Sequence, residues 1–471
     1  MSGTWKVGET KDRPGVYRRS ENAGGVEVAG AAEHVGLAVV KGTWGPLNKA
    51  VRTENGDDIA TIIGSGSGAK VITELRAAGV NEIVVVRVGT GGKNAEVKLK
   101  DGAGADVVTL TTLYPTSREI TVSVKESLDD ESKKQATIYD GAKELETVTF
   151  EAGENEVEGI VSAFANSAYV TAKKNAAGDG KIAVVSQQAF TGGADPTADV
   201  EAYSAGFEAS EEESWDGVVV DSEESAVHAL LHAFINRKFD EGEYPYACVS
   251  EKKSVALDTR MQHAAAFNDE KMHYVLNSWT ATDGTVYEGY LAAARIGGMI
   301  IATPSNESLT HVVVTGAGSL NEKLKNAQII KALKSGCLVL SLSKSRQVWI
   351  EKAINSLVTP SGDQDAGWKK IRRMKTRYEL MNRVDATVEP MVGPVDNDDD
   401  GRAAVISAIQ DVINAMVGEK KIAPGGTVYL DSSNPPKGDS AWFLIAVDDV
   451  DSLEHIYLTY RFRFAPETEE E

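Results

Sequence analysis

From Ile456 to Phe464 the chain alternates in a period of two, with Ile456, Leu458, Tyr460, Phe462 and Phe464 set against Tyr457, Thr459, Arg461 and Arg463. Only an extended strand can use that period. Burying five such side chains is worth roughly 1.5–3 kcal/mol each. A lone strand, however, leaves its backbone groups unpaired and must add to the edge of an existing sheet. Near the other end, Arg13-Pro14-Gly15-Val16-Tyr17-Arg18-Arg19 also reads as extended, because proline fixes φ and turns its predecessor away from helix. Terminal strands built on Pro14, Val16, Tyr17 and the five apolar C-terminal residues predict a chain stitched to its neighbours.

The 471 residues suggest about three domains, and 42% hydrophobic content suffices for several cores. The longest apolar runs, Gly336 to Leu342 and Ile296 to Ala302, fall far below the ~20 residues of a membrane span. With no apolar N-terminal secretion segment, a soluble cytoplasmic product without membrane insertion is expected. Cys248 and Cys337 stand far apart and read as buried small hydrophobes, not as a disulfide framework or metal site.

A net charge of −21 argues against nucleic acid as a partner, since phosphate neutralisation needs a basic face. The charge is uneven. Ile182 to Asn236 holds eleven carboxylates and no Lys or Arg, whereas Lys344 to Arg383 holds ten Lys or Arg against four acids. The densest part is Lys369, Lys370, Arg372, Arg373, Lys375 and Arg377. Positive charge concentrated against the trend of the chain is expected where an acidic partner is met.

Five segments follow: an extended arm (1–20), an α/β segment (21–94) expected to pack with the later α/β domain, a mainly β domain (95–180), an α/β domain (181–344) and a C-terminal domain (345–471). In the first α/β segment, Val35 to Val40 and Ile83 to Val88 read as strands and Lys70 to Ala78 as a helix. Short Val- and Thr-rich runs such as Val107 to Leu110 and Ile120 to Val124 mark the β domain. Beyond it, strands at Ile182 to Val185, Gly217 to Val220, Tyr246 to Val249 and Tyr274 to Asn277 alternate with helices at Glu223 to Asn236, Val255 to Phe267 and Tyr290 to Ile301. That alternation predicts a mainly parallel, doubly wound sheet. The last domain, read as α+β and completed by the arms, should open with a helix from Ser345 through Ile354. It should continue with a helix from Ala403 to Met416 and end in two strands after the Pro/Gly-rich Asp431 to Gly438.

Motifs that would signal an enzyme each lack a required residue. Gly64-Ser65-Gly66-Ser67-Gly68 leads to Lys70, but a Walker loop needs Gly directly before Lys and Ser or Thr after it, where this chain has Ala69 and Val71. No Gly-x-Ser-x-Gly elbow is present. His228 and His232 have zinc-pair spacing, yet residue 229 is Ala where a zincin has Glu. Asp396, Asp398, Asp400 and Gly401 match the first half of a calcium loop, but position twelve is Ser407 in place of Glu. A turn whose acids face a helix N-terminus fits better. No cofactor and no catalytic residue is expected; a hydrolase or nucleotide-binding enzyme on the α/β part, or a static strand-exchanged lattice, stand as the alternatives.

The ordered series R-P-G-V-Y from Arg13, W-G-P-L-N-K-A-V-R-T-E-N from Trp44, V-V-V-R-V ending at Val88, L-Y-P at Leu113 and F-T-G-G-A-D from Phe190 resembles the contractile tail sheath proteins of phages, prophages and phage-tail-like bacteriocins. The series continues with I-N-S-L-V-T from Ile354, W-K-K-I-R-R-M-K from Trp368, V-G-P-V-D-N-D-D-D-G-R from Val392 and I-Y-L-T-Y-R-F from Ile456. Tyr114-Pro115-Thr116-Ser117-Arg118-Glu119 departs from the family pattern of Gly and then Gly-Asn. The resemblance implies an α/β part subtilisin-like in fold only. It also implies hexameric rings of the protein itself, joined through their arms into a helix around a tail tube, with baseplate and tail terminator proteins as further partners. The expected location is a virion tail or tail-like particle assembled in the host cytoplasm, contraction driving the tube through a cell envelope. The basic residues from Lys369 to Arg377 would then face the tube or the acidic stretch of a neighbour.

Overall fold

The computed structural model describes residues 2–4, 16–18, 34–176, 178, 180–362 and 364–463. Pro14 and Phe464, two of the expected linking residues, lie outside the described residues. The chain divides into two compact units, His34–Thr376 with Val450–Glu471 and Met1–Glu33 with Arg377–Asp449, the division falling within the helix Ile371–Val388.

In the larger unit a seven-stranded sheet has the order Cys337–Leu338, Met272–Val275, Tyr246–Ser250, Gly217–Val220, Val35–Val40, Glu82–Arg87, Ala50–Glu54. Every neighbouring pair is parallel except the last, which is antiparallel. The central strands are continuous apolar runs because both faces are covered, and all six residues of Val35–Val40 are buried. Leu37, Val39, Val84 and Val218 pack with Tyr203 and Phe207 of the helix Val200–Glu208 and with Leu231 and Phe234 of Ser225–Asp240. Helices Ser67–Ala77 and Tyr290–Ala302 contact the sheet as well and pack on one another. Their close approach requires glycine: a Cβ on Gly297 would stand 2.9 Å from Cys248 Cβ and Val219 Cγ2, and one on Gly298 would stand 2.7 Å from Ala78 Cβ.

The β domain is a sandwich. Its four-stranded sheet has the order Lys143–Glu151, Lys133–Asp140, Ile120–Glu126, Val185–Ala189, and its three-stranded sheet Val170–Lys174, Asp106–Thr112, Glu96–Lys100. All pairs are antiparallel, so apolar residues alternate, as in Glu96–Lys100, where only Val97 and Leu99 are buried. Those two meet Leu110, Val122, Ile138 and Ile160 in the shared core.

Four expectations need correction. Ser345 to Ile354 is not helical: Arg346 takes φ +65° in a tight turn, and Val348–Ile350 folds back antiparallel on Leu340–Leu342, with Val348 and Ile350 buried. A short β-branched run after a turn outweighed the helical reading. Residues 345–376 accordingly group with the larger unit, so the later unit begins at Arg377 and not at 345. The strand expected at Ile182 lies at Val185–Ala189, because Ile182 N–H is drawn 2.7 Å from Glu156 Oε2. Of the two final strands one forms, Phe443–Ala446, while Ile456 to Arg463 pairs with nothing among the described residues.

The smaller unit packs Leu380 and Val384 of the helix Ile371–Val388 against Ile409, Val412, Ile413 and Met416 of the helix Asp399–Gly418. It carries one antiparallel hairpin, Thr427–Leu430 with Phe443–Ala446, and a parallel pairing of Ser2–Thr4 with Val16–Arg18. Asp398 caps the Asp399–Gly418 helix, its Oδ1 accepting from Gly401 N–H at 2.8 Å, and Asp399 pairs with Arg402. Asp396 and Asp400 are exposed beside them. Among the described residues no group of three or more His, Cys, Asp or Glu is placed to hold a metal ion.

Candidate functional site

In a doubly wound sheet ligands bind where the strand order reverses. That point lies between Val35–Val40 and Gly217–Val220, whose following residues are Lys41 and Asp221. The glycine-rich loop meets them there, leaving a cleft of about 150 Å³. Its polar groups are already used by the fold. Asp221 accepts from Lys41 N–H at 3.0 Å, from the Tyr203 hydroxyl at 2.5 Å and from Ser67. Burial pushes the Asp221 carboxyl up, against the pull of Lys41 and these hydrogen bonds. Ser67 thus spends its hydroxyl proton on Asp221, within the network that ties the ends of the two strands together.

The family-like strings meet around Arg87. Its guanidinium donates to the carbonyls of Gly42, Gly45 and Pro115, each at 2.9 Å, and so ties the α/β part to the sandwich. Trp44 packs edge-on against Tyr114 at 5.3 Å and holds Arg118 over its ring at 5.1 Å. Burial pushes Arg87 down to about 10, against the pull of Asp195, so it stays charged near neutrality. Arg87→Met leaves three carbonyls without their donor, and a loss of about 2–4 kcal/mol is expected, read as a lowered urea midpoint. An unchanged midpoint would remove Arg87 from the junction.

Four histidines of the α/β part are held within the fold. His228 lies 2.9 Å from the Ser222 carbonyl, His232 2.8 Å from Asp269 and His263 2.9 Å from Glu251, so the 228/232 pair converges on no common point. His273 is fully buried beside Tyr246, and neither ring nitrogen has a hydrogen-bond partner among the described residues. Burial first, and the Lys375 charge second, push its imidazole down to about 3, against the pull of Asp269. The unfolded chain takes up that proton near 6.5, so between about 6.5 and 3 the unfolded state holds the extra proton and stability falls as pH falls. His273→Phe should therefore shrink the loss between pH 7 and 4.5 by roughly 2 kcal/mol, measured as the difference of urea midpoints. An identical acid limb in the variant would show that His273 is not held neutral.

The basic stretch finds its acid within the chain. In the larger unit Lys370 pairs with Asp451 at 2.7 Å and Glu454 at 3.2 Å, Lys352 reaches Glu454 at 3.5 Å, and Arg372 donates to Ser452 at 2.8 Å. Arg373 meets Asp365 at 3.3 Å, and in the smaller unit Arg377 meets Asp449 at 3.1 Å. Lys369 donates to the Val358 carbonyl. Lys375 caps the helix Tyr290–Ala302, donating to the carbonyls of Ile300, Ile301 and Thr303 where the helix dipole favours a cation. None of the six expected contact residues is exposed. Lys370 and Arg372 are answered by Asp451, Ser452 and Glu454, about 80 positions away, a pairing that charge counting along the sequence has no means of finding.

Those acids form the root of the C-terminal arm. Beyond them Ile456 is 68% exposed, Tyr457 91%, Leu458 69%, Tyr460 73% and Phe462 91%. In the smaller unit the hairpin has both outer edges unpaired among the described residues, and Tyr429, Trp442, Leu444 and Ile445 are exposed on it. Val16 and Tyr17 lie in the N-terminal strand pairing already described.

Lys41, Ser67, Tyr203 and Asp221 bond one another at the sheet crest, while backbone edges at the hairpin and apolar side chains on the arm stay open among the described residues. That combination defines a subunit built for assembly. Residues 89–195 match the phage tail sheath protein beta-sandwich domain and residues 197–356 the phage tail sheath protein central domain. Together the two matches span more than half of the chain, in the order in which the fold presents the domains, and the chain belongs to the phage tail sheath family. An uncharacterised Bacillus subtilis (strain 168) protein, YqbK, is 23% identical over 97% of this chain and 98% of its own length. The crystal structure of a sheath tail protein from Desulfitobacterium hafniense superimposes with a TM-score of 0.71 at 20% identity, covering 93% of this chain and all of that one. The helical sheath of the anti-feeding prophage in its contracted state matches with a TM-score of 0.54 at 10% identity, covering 96% of this chain and 99% of that one.

Proposed function

We propose that this protein is a non-enzymatic subunit that polymerises as stacked hexameric rings around a tail tube and contracts to drive the tube through a cell envelope. The observation that carries the reading is an apolar arm of strand periodicity, exposed from Ile456 to Phe462, in a chain that also presents an open-edged hairpin. A strand without a partner and a sheet without edge protection suit each other when they belong to different copies, since a heterologous contact that does not close generates a helix. Lys370, Arg372 and Lys352 hold the arm at its root, so pull on the arm is passed to the body of the subunit. Baseplate and terminator proteins would then cap the two ends.

Co-expression with the tube protein of the same gene cluster tests this. Filaments of one length and diameter should form around the tube and, under mild denaturant, become shorter and wider. Closed rings alone, or filaments of fixed dimensions under every condition, would refute the contractile reading.

A further inference from the structure

In the larger unit, the helix Asn326–Lys334 and the segment from Lys352 to Lys370 enclose a groove of about 400 Å³. Its apolar lining comes from buried Ile354 and Leu357, half-buried Leu333, and Ile330, which is 46% exposed. Lys334, Lys352, Lys369 and Lys370 also line it. In a chain of net charge −21 this is an unusual concentration of lysine. Two of the four already hold carboxylates, Asp451 and Glu454 at the root of the arm. Lys334 is exposed and has no ion-pair partner among the described residues. An apolar groove with a lysine margin suits a ligand that is aromatic and acidic in close succession.

The chain itself carries such a segment. Phe462 and Phe464 are followed by Ala465-Pro466, Glu467, Thr468 and Glu469-Glu470-Glu471. We propose that this groove docks the aromatic and acidic tail, residues 462–471, of a second copy of the chain. A second copy is favoured because the arm, pinned at Asp451 and Glu454 beside the groove, leaves with Ile456 to Phe462 exposed; lying back along its own groove would bury them. The inference rests on the assembly reading above only in that the tail comes from another copy.

The test uses the full chain, diluted below its assembly concentration, and a fluorescein-labelled peptide of residues 459–471. Saturable binding at 50 mM salt is expected, weakening at least tenfold at 500 mM as the charges are screened. It should weaken at least tenfold again in the surface variant Ile330→Asp with Lys334→Glu, and with a peptide carrying Gln in place of its four Glu. No saturable binding, or equal binding by variant and parent, overturns the proposal. Deleting residues 465–471 from the protein locates the native occupant: equal peptide affinity of the full and shortened chains supports a second copy, whereas much tighter binding by the shortened chain shows that the tail fills its own groove and overturns it. Because the chain is dilute, a failure here is separate from a failure of strand-linked assembly, which electron microscopy of concentrated protein reports.

Discussion

Deleting Tyr457 to Glu471 should leave a folded, soluble chain that no longer polymerises. In the described part of that segment Tyr457, Leu458, Tyr460 and Phe462 are 69–91% exposed, so its removal uncovers little of the core. In an assembly Leu458, Tyr460 and Phe462, with Ile456 and Phe464 of the same alternating set, would bury apolar faces worth roughly 1.5–3 kcal/mol per side chain, of order 10 kcal/mol for each linkage, before ordering costs. An interaction of that size lost at every contact abolishes a lattice and does not merely weaken it. Thermal unfolding should be nearly unchanged while sedimentation shows monomer and microscopy shows no tubes. Tubes of normal length from the shortened chain would mean that the arm is not the linkage.

Reversing the clamp at the root of the arm should have the next largest effect. Each pair is partly buried, Glu454 most of all, and worth about 1 kcal/mol, but Lys370→Glu with Arg372→Glu converts attraction for Asp451 and Glu454 into repulsion. Two or more kcal/mol in arm placement should raise the critical concentration for assembly at least tenfold, read by light scattering. Asp451→Lys with Glu454→Lys in the same chain should restore much of the loss. Acid should loosen the parent clamp: burial pushes Asp451 up, but the Lys370 hydrogen bond holds it below the usual carboxylate value on balance, so its contribution is present above about 4 and disappears as pH falls through its lowered value. If the double reversal impaired assembly only when tubes are present, these residues would be a tube surface and the clamp would be wrong.

What the sequence disclosed follows from how each element is stabilised. Val35–Val40 and Gly217–Val220 are buried on both faces and therefore stand out as unbroken apolar runs. The β domain announced itself through alternation, the mark of a sheet with one covered face. The alternation from Ile456 predicts a strand that does not form among the described residues, where the segment is exposed and unpaired, since a period of two states what a segment could pair as and not whether a partner is at hand. Val348–Ile350 was misread because three residues hold too little periodicity to oppose a helical pattern. Arg87 appeared only as part of a string, since its acceptors Gly42, Gly45 and Pro115 lie 28 to 45 positions away and are backbone carbonyls that any residue provides. The basic stretch showed where charge accumulates but not what neutralises it. Lys375 in particular answers three carbonyls at a helix end, a demand with no side-chain signature.

The most direct measurement is a cryo-electron microscopy map of the assembled filament, traced through residues 456–462 and the hairpin Thr427–Leu430 with Phe443–Ala446. Strand exchange requires the arm of one copy to lie hydrogen-bonded along a hairpin edge of another, with Ile456, Leu458, Tyr460 and Phe462 on its covered face. A filament in which every arm stays on its own subunit, with both hairpin edges unpaired, would contradict it.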